Sequence, residues 1–155
     1  MRLPMTLAVL LLGSAAAARR AEAQLSYVTG QRTLAFGGVM RGVAKHILPG
    51  DPIRSGQFEF RATLNNTVRI TFTLPNRLNG PAGATMPISF STTDGNLKGQ
   101  GPTSLLIVFN PNVANTWNLV SSNTFNVWLG GTVSPAAAQA FGAYSNTISM
   151  TVTVQ

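Results

Sequence analysis

Gln57-Phe58-Glu59-Phe60-Arg61-Ala62-Thr63-Leu64, and after it Val68-Arg69-Ile70-Thr71-Phe72-Thr73-Leu74, decide the fold class. In the first run Phe58, Phe60, Ala62 and Leu64 share one face, while Glu59, Arg61 and Thr63 take the other. The second run repeats the device, with Val68, Ile70, Phe72 and Leu74 apolar and Arg69, Thr71 and Thr73 polar. Strict alternation means half-buried strands, because successive side chains of an extended backbone point to opposite faces. One dry and one wet face is the pattern of antiparallel sheets that pack on a core from one side.

The closing residues follow the same period, with Ile148, Met150, Val152 and Val154 against Ser149, Thr151 and Thr153. Further strands are expected at Leu34–Val39, Met86–Ser91, Ser104–Phe109 and Thr124–Val133. Pro49-Gly50-Asp51-Pro52, Asn79-Gly80-Pro81, Asp94-Gly95-Asn96 and Ser134-Pro135 carry turn chemistry between them. No stretch shows a helical stripe. The expectation is an all-β, immunoglobulin-like antiparallel sandwich of about seven strands, with a small β-barrel as the alternative. Parity constrains the link at Asn65-Asn66. A two-residue loop would set Leu64 opposite Thr67 and turn one strand's apolar face outward. A three-residue hairpin over Asn65–Thr67 is expected, the alternative being a crossover between sheets.

Residues 1–23 read as a secretory signal peptide. Arg2 precedes the apolar Leu7-Ala8-Val9-Leu10-Leu11-Leu12, and Ala21-Glu22-Ala23 offers the small-x-small cleavage pattern. Even extended to Ala18 the run is short for a membrane span, and a cut after Ala18 is the other possible site. No second apolar run of membrane-spanning length follows, so no transmembrane segment is expected after cleavage. Residues 24–33 are expected as an N-terminal extension and 34–155 as a single sandwich domain. Leu25 and Tyr27 alternate, but Gly30 interrupts the pattern, so strand donation to a neighbouring subunit is the weaker reading beside a self-complete monomer. The expected location is secreted, periplasmic or cell-surface.

Cleavage after Ala23 leaves the 132 residues from Gln24 to Gln155, the size of one ordinary domain. The chain has no cysteine, which removes thiol catalysis and thiolate metal sites. Beyond residue 23, eight basic residues stand against Asp51, Glu59 and Asp94. This surplus suits anionic partners such as acidic glycans, lipopolysaccharide or membrane headgroups, although a solvated surface accounts for it equally simply and is the preferred reading. The charges are scattered singly, without a basic run or nucleic-acid motif, so nucleic-acid binding is not expected.

The same short inventory argues against an enzyme. His46 is the one histidine, no serine-hydrolase elbow accompanies it, and it reads as exposed and unengaged. No pair of ligands falls at metal-binding spacing, and Asp94-Gly95-Asn96 lacks the later acids of a calcium loop. Glu59 alternates onto an exposed face beside Arg61, and no motif pairs it with a second carboxylate. No catalytic residue, metal site or cofactor is therefore expected. Two tryptophans are candidate ligand contacts. Trp117, in the polar segment 112–123, either stacks on a sugar ring or plugs the end of the sandwich. Trp128 falls out of phase with Phe125, Val127 and Leu129, so it lies on the opposite face of its strand, as a contact residue or in a strand buried on both sides.

Three segments together resemble a family of bacterial secreted domains of unknown function, akin to pilin-like and spore-coat-U-like sandwiches. They are Leu34-Ala35-Phe36-Gly37-Gly38-Val39; Gly56–Phe60 with Ile70–Pro75; and Val127–Val154, including Gly130-Gly131 and Gly142-Ala143-Tyr144. Asn146 and Phe141 depart from that pattern, where glycine and a small residue are usual. The resemblance implies an exported, non-enzymatic structural or adhesive role at the cell envelope, fimbria-like, with other envelope proteins as partners. The alternative is a soluble carbohydrate- or ligand-binding module using Trp117 or Trp128.

Overall fold

The computed structural model describes residues 25–62, 66–119 and 124–155, and over these the chain is all-β. The strands are β1 (Leu25–Arg32), β2 (Lys45–Ile47), β3 (Gly56–Ala62), β4 (Asn66–Thr73), β5 (Arg77–Asn79) and β6 (Thr85–Ser89). They continue as β7 (Gly95–Gly99), β8 (Ile107–Phe109), β9 (Asn115–Leu119), β10 (Thr124–Leu129), β11 (Gly131–Val133) and β12 (Ser149–Val154). They form three open sheets ordered β1-β3-β10-β7-β8, β2-β11-β6-β5 and β12-β4-β9. Twelve short strands in three unclosed sheets replace the seven-stranded immunoglobulin-like sandwich expected, and none of the sheets closes into a barrel.

The alternating runs behave as their parity requires. Phe60, Ala62, Val68, Ile70 and Val152 meet Leu97, Phe109, Leu119, Phe125, Val127 and Leu129 in one buried cluster. Phe58, Phe72 and Met150 are half-buried against its rim. The five-stranded and three-stranded sheets supply this core between them. The expected hairpin is absent: β3 pairs with β1 and β10, whereas β4 pairs with β12 and β9. The chain crosses between sheets there. Two strands that bury their even-numbered residues can face each other across a core as well as sit side by side, and parity alone does not separate the cases. Residues 63–65 at the crossing, like the expected signal peptide, lie outside the described residues.

Three expectations are redrawn. The expected extension contains β1, which pairs antiparallel with β3 from Leu25 opposite Ala62 to Arg32 opposite Gln57. Its register shifts between Leu25 and Tyr27 and again between Gly30 and Arg32. Those irregularities put Leu25 and Val28, three residues apart, against the same core and hide the strand from a search for period two. Leu34–Val39 is irregular rather than a strand, since Gly37 adopts φ 63° and ends any extended run. Phe36 is nevertheless buried, in a second cluster with Ile47, Met86, Ile88 and Val133.

The third change is the division of Thr124–Val133 into β10 and β11. The order β3-β10-β7 in one sheet is echoed by β2-β11-β6 in the next. The joint is Gly130. Its N–H donates to the Asp94 carbonyl at 2.8 Å, and a Cβ at this position would be driven into the Ile47 carbonyl oxygen and the Pro49 ring. Only glycine lets the backbones approach so closely.

Candidate functional site

Leu105-Leu106-Ile107-Val108-Phe109 is an unbroken apolar run, and such runs normally become strands buried on both faces. Here only its last three residues, Ile107–Phe109, become a strand, and that strand is an edge. β8 pairs with β7 through Gly95–Phe109, Asn96–Val108 and Leu97–Ile107, and it ends the five-stranded sheet. Only Phe109 turns fully inward, stacking on Phe72 at 6.0 Å and meeting Trp117 edge-on at 5.2 Å. Leu105, Leu106, Ile107 and Val108 remain 81%, 54%, 39% and 55% exposed. Edge strands of monomeric proteins are usually blunted by shortness, lysine, proline or a bulge. The opposite edge, β1, carries register shifts. β8 is short, at three residues, but it carries no lysine, proline or bulge, and no charged residue occurs anywhere after Lys98.

The outer face of the same sheet gathers polar and aromatic groups. Tyr27 Oη donates to Glu59 Oε1 at 2.6 Å, and Gln100 Nε2 donates to Glu59 Oε2 at 3.0 Å. Glu59 thus engages Tyr27 and Gln100. The nearby carboxylate holds the Tyr27 phenol above its ordinary value of 10.0, chiefly through that hydrogen bond. Gln57 Nε2 donates to Asn126 Oδ1 at 3.0 Å. Trp128 sits in the next row, between Gln57 of β3 and Asn96 of β7, half-buried and outward-facing. Trp117 is placed differently. It lies in β9 opposite Val68, packed against the main core and edge-on to Phe109, so it serves that core. The two tryptophans do not share a site.

His46 corrects the sequence reading, because it is engaged. Its Nε2 lies 2.8 Å from Oδ1 of the buried Asp94. Asp94 Oδ2 accepts the Ser91 N–H at 2.7 Å, and the Asp94 carbonyl takes Gly130 N–H. This one residue therefore ties β2, the turn before β7 and the β10–β11 joint together. Spacing could not show the pairing, since the partners are 48 residues apart. Ser91 Oγ is turned to Thr93 Oγ1 at 3.3 Å. No group of three potential metal ligands occurs among the described residues.

Asp51 closes the turn before β3. Its Oδ1 accepts the N–H groups of Ile53 and Arg54, both at 2.8 Å. The Arg54 amide, followed by that of Ile53, holds its carboxyl below the ordinary 3.8. Arg32 binds the same turn from β1, through Nε to the Ser55 carbonyl at 2.7 Å. The described residues contain no helix long and apolar enough to cross a membrane.

Against known proteins, a family model described as a domain of unknown function, DUF4402, matches residues 13–155. Neither a curated protein nor a solved structure matches the chain.

Proposed function

The chain belongs to the DUF4402 family, and from that membership we propose that it is an exported structural or adhesive domain of the cell envelope that joins a second copy of itself through the open edge of β8. The family's loose association with pilin-like proteins supports a role in assembly. The observation that carries the reading is the exposed apolar run Leu105–Val108, which leads into the uncharged sheet edge formed by β8. Such an edge offers main-chain donors and acceptors together with apolar side chains, and the simplest partner is the same edge of another copy. Antiparallel β8–β8 pairing would bring no like charges together along the run, since none is present after Lys98. Sedimentation of wild type and Val108→Lys tests it. A concentration-dependent dimer that the lysine abolishes is the expected result. A wild-type monomer at every concentration contradicts it.

A second reading follows from Trp128. Its outward face, beside the Gln57–Asn126 pair and near the Tyr27–Glu59–Gln100 group, has the aromatic-plus-amide chemistry that binds sugar rings. Titration with neutral and acidic oligosaccharides, followed by tryptophan fluorescence, separates the readings. A quench that Trp128→Ala removes and Trp117→Phe retains would favour the sugar site.

A further inference from the structure

The second cluster of the fold is buried, and a cleft opens beside it. Above Met86 and Ile88 the structure holds a cleft of about 850 Å³, walled by the segment at Phe36 and the 139–148 loop at Tyr144. Protein interiors are packed densely, so apolar space of this size is seldom left without use. The far wall is pinned in place. Gln139 Nε2 donates to Tyr144 Oη at 2.7 Å and to the Thr85 carbonyl at 3.0 Å, while Tyr144 Oη donates to the Ala140 carbonyl at 2.9 Å. Asn79 and Ser145 exchange two backbone hydrogen bonds of 2.9 Å. These polar groups serve the wall itself.

The rim is different. The Arg41 guanidinium lies 3.5 Å from the ring centroid of Phe141, which is 82% exposed. The ring occupies one side of the guanidinium and leaves its N–H groups able to take a carboxylate. Arg41 is the one charged residue among the described residues lining the cleft, and no carboxylate of the described residues lies in salt-bridge range of it. The segment carrying it is held by Gly42 N–H, which donates to Pro135 and Ala136 carbonyls at 3.2 Å.

We infer that this cleft binds a small amphipathic carboxylate, with its apolar body against the half-buried Leu34, Val39, Leu78 and Ile148 and its carboxylate on Arg41. The inference is independent of the β8 edge. A preformed apolar floor supplies affinity without orientation, and a single rim cation supplies the orientation.

Calorimetric titration with dodecanoate, octanoate and dodecanol tests it, using the purified protein and the variants Arg41→Gln and Ala143→Trp. Dodecanoate should bind more tightly than octanoate, by roughly threefold to fourfold per methylene buried. Arg41→Gln should weaken dodecanoate about tenfold or more while leaving dodecanol unchanged. Ala143→Trp, at an exposed position of the lining, should weaken both. Absence of dodecanoate binding overturns the proposal, as does equal binding of acid and alcohol with no effect of Arg41→Gln. Binding to phosphatidylglycerol vesicles without binding to dodecanoate would also overturn it, by assigning Arg41 to a membrane surface.

Discussion

Replacing Phe60 by alanine tests whether the five-stranded and three-stranded sheets share one core. Phe60 is 0% exposed and its ring stacks on Phe125 with centroids 5.3 Å apart. Losing a fully buried phenylalanine side chain forfeits about 2–3 kcal/mol of transfer free energy. A residual void on the order of 60 Å³ adds about 1.4 kcal/mol at ~24 cal/mol per Å³. Loss of the aromatic pair adds about 0.5–1 kcal/mol. The total, about 4–5 kcal/mol, lies at the upper end of Phe→Ala effects. Phe72 stands at the rim, half-buried between Phe58 and Phe109, each 6.0 Å away. Phe72→Ala should therefore cost only about 2 kcal/mol. In urea, with m near ~2 kcal/mol/M, the midpoints should fall by about 2 M and about 1 M. A shift for Phe60→Ala no larger than that for Phe72→Ala, with m unchanged, would refute this arrangement of the core.

Gly130→Ala forces a methyl group against Ile47 and Pro49 at the joint between sheets. It should destabilise by about 1–3 kcal/mol through overpacking, and a denaturation midpoint equal to wild type would show that the joint can relax. Asp51 has a folded pKa below 3.8 because the Arg54 and Ile53 amides stabilise its charged form. Its contribution is thus fully present above 3.8 and disappears as pH falls through the lower folded value. The Ile53 and Arg54 amide resonances should titrate together with a midpoint under 3.8, and a midpoint at or above it counts against the turn. Tyr27 should ionise above 10.0 by ultraviolet absorbance, and Glu59→Gln should lower that midpoint. An unchanged midpoint would mean the Tyr27–Glu59 bond does not form in solution.

The period-two runs made the main core legible, because Phe60, Ile70 and Val152 are buried on the side their parity assigns. Sheet membership was not legible, since facing strands and neighbouring strands bury the same residues. β1 escaped because irregular register breaks its alternation, and the division of β10 from β11 is visible in sequence only as Gly130-Gly131. At the candidate sites, phase placed Trp128 on the outer face, whereas the polar surroundings of Trp117 concealed a strand packed inward. The edge position of Leu105–Val108 had one usable signal, an apolar run in a region without charge. The His46–Asp94 contact had none, because it depends on how two sheets meet.

Hydrogen exchange of the Ile107–Phe109 amides, followed as a function of protein concentration, bears most directly on the open edge of β8. Amides pointing away from β7 should exchange rapidly in dilute protein and become protected as concentration rises. In Val108→Lys they should stay unprotected throughout. Protection that is the same at all concentrations, or identical in wild type and Val108→Lys, would contradict pairing through this edge.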